Sequence, residues 1–253
     1  MPQAREAYEP IIGNPAENEP RASRHNKENR MDKNRQTPST PQRPQLILFD
    51  LLTALIDSWQ VWNETAGSEE AGKQWRMIYL KLTYGCGAYR PYETLVEEAA
   101  LEAGFDGKLA RALDANWKNL RPWPEAPGVL QALKGKYRAG VVTNCSVRLG
   151  RQAADLVGVP FDVVVTSDEA GFYKPDPRPY QMALDKAGVD AKDAVFVAGS
   201  AYDLIGTAKV GIPTFWHNRI GLQAPAGAPS PIAEMNTLSE LPAALERWEM
   251  SRA

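Results

Sequence analysis

Five short apolar runs punctuate the chain after Gln45: Leu46–Phe49, Ala139–Val142, Val163–Val165, Ala194–Val197 and Thr214–Trp216. None alternates apolar with polar positions, which is the pattern of strands covered on both faces. Helical stretches lie between most of them: Val147–Val157, Pro179–Ala187 and Leu204–Val210. Strand, helix, strand at this spacing predicts an α/β fold, a Rossmann-like parallel sheet with right-handed crossovers. The long interval between Asp50 and Ala139 breaks the rhythm. Amphipathic helical sequence fills it, over Gln74–Leu82, Pro91–Ala103 and Lys108–Leu120, punctuated by Gly85, Gly87, Gly104 and Gly107. It reads as a helical cap, residues 57–124, inserted into a core of residues 45–56 and 125–253. Ligands of open parallel sheets bind at the carboxyl ends of the strands, so such a cap would close over Asp50.

Residues 1–44 differ from the rest. Between Ala16 and Arg30 there is almost no apolar side chain, and Pro38, Pro41 and Pro44 follow. Such a segment buries too little surface to offset its ordering entropy, so a disordered tail is expected. It lacks the apolar core of a secretory signal, and its glutamates argue against an organellar transit peptide. Met31 is a second candidate start.

Composition narrows the function classes. The chain of 253 residues is 43% hydrophobic and 24% charged with a net charge of −2, ordinary for a globular protein. Near-neutrality gives no electrostatic case for nucleic acid or an anionic membrane, and no apolar stretch approaches bilayer length. Cys86 and Cys145 show no pairing pattern, which predicts a reduced, cytoplasmic protein. The two histidines, His25 and His217, lie far apart, which disfavours a histidine-based zinc site or a Ser/His/Asp triad.

The candidate chemistry gathers at strand ends. Asp50 closes the run Leu46–Phe49, where a carboxylate must be solvated, paired or catalytic. A carboxylate nucleophile forms a covalent ester and splits one difficult step into two. Lys174, held in a Pro-rich loop, would keep Asp50 ionised by charge compensation. Asp203 would orient or deprotonate a water as general base, and also suits the first turn of a helix. Thr143 and Asn144 follow an apolar strand and would hydrogen-bond a substrate carboxylate or the nucleophile, or simply form a turn. Tyr180 would offer a further hydroxyl or pack as a helical aromatic. His217 reads as structural. Trp59, Trp62, Trp117 and Trp123 are candidates to line an apolar pocket, with core packing the expected role for some.

The order Phe49-Asp50, Thr143-Asn144, Lys174-Pro175-Asp176 and Asp203 resembles the four motifs of the haloacid dehalogenase superfamily, over roughly residues 45 to 248. Most members are magnesium-dependent phosphatases with a second aspartate two residues after the nucleophile and a metal-binding acid in the fourth motif. Here those positions are Leu52 and Gly199. Magnesium takes oxygen ligands that usually include carboxylates, so these replacements weaken a magnesium site. The chain is similar instead to the metal-independent type II, L-2-haloacid dehalogenase branch. Four segments carry that likeness: Trp75-Arg76, the run from Tyr173 to Tyr180, Ser200-Ala201-Tyr202-Asp203, and Phe215-Trp216-His217-Asn218-Arg219.

The resemblance implies hydrolytic dehalogenation of a short 2-haloacid through an aspartyl ester, without cofactor or metal. It implies Asp50, Lys174, Asp203 and Arg76 as catalytic residues, with Arg76 receiving the halide. Thr143, Asn144, Tyr180 and Ser200 would contact substrate. It also implies a homodimer as one option. The first motif departs from the branch pattern Asp-x-Tyr-Gly-Thr-Leu: Thr53 replaces the turn glycine, and Ala54 replaces the threonine that hydrogen-bonds the site. In the fourth motif Ala198 and Ser200 replace serine and asparagine. Two other readings stay open: a phosphatase or other hydrolase of the superfamily, and a catalytically silent binding protein.

Overall fold

The structure, a computed structural model, describes residues 43–252. The expectations for the amino-terminal tail and for Met31 fall outside that range, apart from Arg43 and Pro44. The chain runs β1 (Leu46–Asp50), α1 (Ser58–Ala66), α2 (Glu69–Gly85), α3 (Tyr92–Glu102), α4 (Lys108–Asn116), α5 (Ala126–Leu133), β2 (Arg138–Thr143), α6 (Val147–Leu156), β3 (Val163–Thr166) and α7 (Ser167–Ala170). It continues through α8 (Pro177–Ala187), β4 (Ala194–Ala198), α9 (Ala201–Val210), β5 (Thr214–His217), β6 (Glu234–Met235) and α10 (Leu241–Met250).

The strands form one sheet in the order β3-β2-β1-β4-β5-β6, and every pairing is parallel. The expected α/β core with a parallel sheet is therefore what the chain builds. β1 shows why its sequence is apolar throughout. Ile47 and Phe49 face one core with Val141, Val195 and Phe215, while Leu46 and Leu48 face the other with Val142, Phe196 and Trp216. Alternate residues of a strand point to opposite faces, so a strand covered on both sides must be apolar at every position.

β1 lies at the centre, and the chain passes to β2 and β3 on one side before crossing to β4 on the other. Its carboxyl end is thus the point where strand order reverses, where open α/β sheets place their ligands. Asp50 is the last residue of β1, in register with Val142 of β2.

Several elements differ from the sequence expectation. The expectation contained no helix at α1, whose nine residues bury Ser58, Val61 and Trp62 and are capped by Asp57, which accepts from Gln60 N. α2 begins at Glu69, five residues before the expected Gln74. Its start is set by a cap: Ser68 accepts from Ala71 N, and Glu69 and Glu70 occupy the positive end of the helix. α4 stops at Asn116 instead of Leu120, because the next turn tightens into a 3-10 helix at Trp117–Asn119. There Trp117 Nε1 donates to Leu149 O at 2.9 Å. The short β6 and the helices α5, α7 and α10 were also absent from the expectation.

Candidate active site

The backbone after Asp50 forms one wide π-helical turn, Leu51–Leu55, wrapped around the aspartate's own carboxylate. Asp50 Oδ2 accepts from Thr53 N at 2.8 Å, from Ala54 N at 3.2 Å and from the Thr53 hydroxyl. The other oxygen, Oδ1, accepts from Lys174 Nζ at 2.7 Å. The same ammonium lies 3.0 Å from Asp203 Oδ1. Asp50, Lys174 and Asp203 are 6%, 4% and 3% exposed, so solvent screens their charges little.

The two carboxylates are electrostatically unequal. Burial pushes Asp50 up, but the Lys174 ammonium and the hydrogen bonds from Lys174 and Thr53 outweigh it and hold the group below the usual carboxylate range. Burial raises Asp203, and the Asp50 charge adds to it; Lys174 and the Tyr180 hydroxyl offset this only in part. One ammonium between two carboxylates leaves Asp50 the stronger acid and Asp203 the stronger base. Such a separation is how paired titratable groups divide acid and base roles.

Distant segments deliver these groups. Lys174 is fixed through its backbone by Asn144, whose Oδ1 accepts from Lys174 N at 2.8 Å and whose Nδ2 donates to Lys174 O at 3.0 Å. Ser167 Oγ donates to the same Asn144 oxygen at 2.7 Å. Asp203 lies in the first turn of α9, and Tyr180 of α8 donates its hydroxyl to Asp203 Oδ1 at 2.6 Å. Gly206 lets the two helices close: a Cβ there would stand 2.4 Å from the Tyr180 ring. Asp203 Oδ2 is buried with no hydrogen-bond partner, an acceptor left open.

These groups line a cavity of about 70 Å³ together with Leu52, Thr53, Trp59, Arg76, Tyr79, Tyr84, Asn144 and Ser200. Arg76 comes from α2. Its guanidinium stacks 4.0 Å over Trp59, and Nη1 is buried without a partner. A permanently charged fork in the wall of this small cavity is suited to an anion. A larger groove of about 470 Å³ lies toward the amino-terminal ends of β1 and β2, among Phe49, Tyr137, Arg138 and Phe161. It brings no pair of carboxylates together and lies away from the strand ends that carry the chemistry.

Of the residues singled out from sequence, Asp50, Lys174, Asp203, Arg76, Asn144 and Ser200 meet at this cavity. Thr143 and Tyr180 do not line it. Thr143 ends β2 fully buried, and Tyr180 stands behind Asp203 as its hydrogen-bond donor. Asn144 reaches the cavity, but its amide is spent on the Lys174 backbone. Of the four tryptophans, Trp59 lines the cavity while Trp62, Trp117 and Trp123 are buried in the core. Thr53 was read from the sequence only as a lost glycine, and its contact with Asp50 became visible only with the turn closed.

The turn is also held from outside. Trp123 Nε1 donates to Thr53 O at 3.0 Å, the Ser58 hydroxyl donates to Leu52 O, and His217 Nδ1 lies 2.9 Å from Ala54 O. A carbonyl only accepts, so Nδ1 carries the hydrogen, and the imidazole Nε2 is buried without a partner. Burial pushes the His217 pKa down. The unfolded chain therefore takes up a proton below pH about 6.5 that the folded site resists. This contribution to stability is complete above that pH and is lost as pH falls toward the folded value. Urea unfolding between pH 7 and about 5 should show the loss, and His217→Gln should flatten that part of the profile.

The residues do not fit a divalent cation. The cavity offers two carboxylates with an ammonium already between them, and no cluster of three or more His, Cys, Asp or Glu suited to a metal occurs among the described residues. A Cβ at Gly199, where the phosphatases of the superfamily carry an acid, would stand 2.2 Å from Thr53 Oγ1 and 2.4 Å from Ala54 N.

A family profile described as haloacid dehalogenase-like hydrolase matches residues 47–217. (S)-2-haloacid dehalogenase 1 of Pseudomonas sp. (strain CBS-3) is 32% identical over 195 residues, 71% of this chain and 85% of that protein. A crystal structure of a dehalogenase with an intermediate complex superposes with a TM-score of 0.71 at 28% identity, covering 79% of this chain and 96% of the other. The pyrimidine 5'-nucleotidase YjjG of Escherichia coli (strain K12) is 29% identical over 155 residues, 59% of this chain and 67% of that protein.

Proposed function

The chain belongs to the haloacid dehalogenase-like hydrolase family, and from that premise we propose that it is a metal-independent 2-haloacid dehalogenase acting on short acids. The observation that carries this reading is the single ammonium, Lys174, shared by Asp50 and Asp203 within a cavity that Arg76 also lines, its Nη1 without a hydrogen-bond partner. A nucleophile, a base and an anion receptor are thus together, and the position two residues after Asp50, where the phosphatase pattern has its second aspartate, is Leu52.

In the first step Asp50 Oδ1 attacks the carbon bearing the halogen. The new C–O bond forms as the C–X bond breaks, the bonding pair leaves with the halide, and the carbon inverts. Lys174 keeps the attacking carboxylate ionised. Arg76 receives the developing halide and draws in the substrate's carboxylate. In the second step Asp203 Oδ2 takes a proton from water, which adds to the ester carbon of Asp50. Collapse expels the 2-hydroxy acid, whose alkoxide regains that proton, and the proton left on the Asp50 carboxyl passes to solvent.

A cavity of about 70 Å³ supports a substrate of few heavy atoms. Cys86 and Cys145 are both free thiols, which supports a reduced, cytoplasmic setting. No helix among the described residues is long and apolar enough to cross a membrane.

The test is halide release from L-2-chloropropionate in the presence of chelator, beside magnesium-stimulated turnover of an aryl phosphate. Chelator-resistant halide release is expected. Turnover of the phosphate ester alone would reject the reading in favour of a phosphatase.

A further inference from the structure

The two oxygens of Asp50 are held by different chemistry. Oδ1 meets the Lys174 ammonium and is the one that attacks carbon in the reaction proposed above, on which this inference rests. Oδ2 meets three neutral donors: two backbone amides and the hydroxyl of Thr53. After alkylation at Oδ1, Oδ2 is the ester carbonyl oxygen, and it gains negative charge when water adds to the carbon. We propose that Thr53 is a catalytic residue of this second step, its hydroxyl completing with the Thr53 and Ala54 amides an oxyanion hole for Oδ2.

Two independent features support the assignment. The first is space. Thr53 can point inward because residue 199 has no side chain: a Cβ there would stand 2.2 Å from the Thr53 hydroxyl oxygen and 2.5 Å from the Thr53 carbonyl carbon. The hydroxyl at 53 and the bare Cα at 199 are therefore one arrangement. Position 54, which carries the site threonine in the branch pattern, is a buried alanine in this chain, and the turn supplies a hydroxyl from the neighbouring position instead.

The second is rigidity. The carbonyls of Leu52, Thr53 and Ala54 are taken from outside the turn by Ser58 of α1, Trp123 of the connection before α5 and His217 of β5. With its carbonyls anchored outward, the turn keeps its amides on Oδ2 without reorganising as charge develops. Pre-placed donors of this kind are where electrostatic catalysis gains most.

In bonds, water oxygen joins the Asp50 carboxyl carbon, its proton goes to Asp203, and the carbonyl π pair moves onto Oδ2. When that pair returns, the bond between the carboxyl carbon and Oδ1 breaks, and Oδ1 leaves with the 2-hydroxy acid, protonated from Asp203. Thr53 donates a hydrogen bond throughout and exchanges no proton.

The experiment compares wild type, Thr53→Val, Thr53→Ala and Thr53→Ser. It records the first-turnover halide burst, steady-state kcat and KM on L-2-chloropropionate, and intact mass after acid quench. Thr53→Val should lower kcat by about 10²-fold, the cost of one oxyanion-hole donor. The halide burst should survive, and an Asp50 ester adduct should accumulate. Thr53→Ser should restore kcat and remove the adduct. Thr53→Ala serves as the hydroxyl-free variant where valine prevents folding.

A role limited to holding the turn would slow burst and turnover together, leave no adduct and lower the melting temperature of the serine variant as well. That pattern, or wild-type kcat in a folded hydroxyl-free variant, overturns the proposal. Absence of any halide release by wild type instead overturns the dehalogenase reading, and this role with it.

Discussion

Asp50→Asn is expected to abolish halide release, lowering kcat by at least about 10⁴-fold, because removal of a covalent nucleophile leaves only binding and orientation. An amide oxygen is a far poorer nucleophile than a carboxylate. The substitution also removes the charge that Lys174 compensates. The fold should survive: the amide keeps one oxygen for the Thr53 and Ala54 donors, and Lys174 retains Asp203 at 3.0 Å. The Asp50 peptide of acid-quenched Thr53→Val should carry an ester mass, and that of the double variant Asp50→Asn/Thr53→Val none. Halide release at even a tenth of the wild-type rate would place the attacking group elsewhere.

Lys174→Met should damage both stability and activity. The ammonium lies between two buried carboxylates, 2.7 Å from Asp50 and 3.0 Å from Asp203, and its removal leaves like charges facing each other in an apolar cleft. Removing one partner of a buried ion pair costs about 3–5 kcal/mol. For a chain of this length that lowers Tm by roughly 6–20 °C. Activity should fall further than folding alone explains, because Asp50 loses the charge that keeps it anionic.

The pH dependence supplies the discriminating sign. In wild type Asp50 is lowered, so its contribution is present above the unfolded carboxylate value and is lost as pH falls through the folded one. Burial alone would lower Lys174, but Asp203 and Asp50 outweigh it and raise the ammonium. Its contribution is therefore present below the ordinary lysine value and is lost as pH rises through the folded one. Without the ammonium, burial and mutual repulsion raise both carboxyls. The deficit of the variant should then be largest near neutrality and shrink in acid, as one carboxyl takes up a proton. Urea unfolding of both proteins from pH 8 to pH 4 measures it. A deficit independent of pH would mean that Lys174 contributes by packing alone.

The interior of the site shows where sequence reasoning reaches and where it stops. Asp50 was legible because it closes an apolar run, where a charge demands a reason, and Lys174 and Asp203 were legible through the order and spacing of the motifs that follow it. Arg76 was legible only through the neighbouring Trp75 and the resemblance, since an arginine on an amphipathic helix is by default exposed. Tyr180 and Thr143 were assigned to substrate because a hydroxyl near a motif looks available. Whether it faces the cavity or backs a catalytic group depends on how α8 meets α9 and on which face of β2 the side chain leaves. Thr53 was invisible for a related reason: its meaning depends on the bare Cα at Gly199, far along the chain.

The alternation of strands and crossover helices, the apolar character of β1 and the charge of Asp50 at its end are local properties, written in periodicity and in the cost of burying charge; the sequence by itself determined them. Which oxygen of Asp50 faces which donor, and the division of one ammonium between two carboxylates, were decided only by the tertiary structure. Lys174 and Asp50 are 124 residues apart. Only closure of the parallel sheet at its central strand brings them within hydrogen-bond distance, where burial gives a few ångströms the power to decide which group attacks and which accepts a proton.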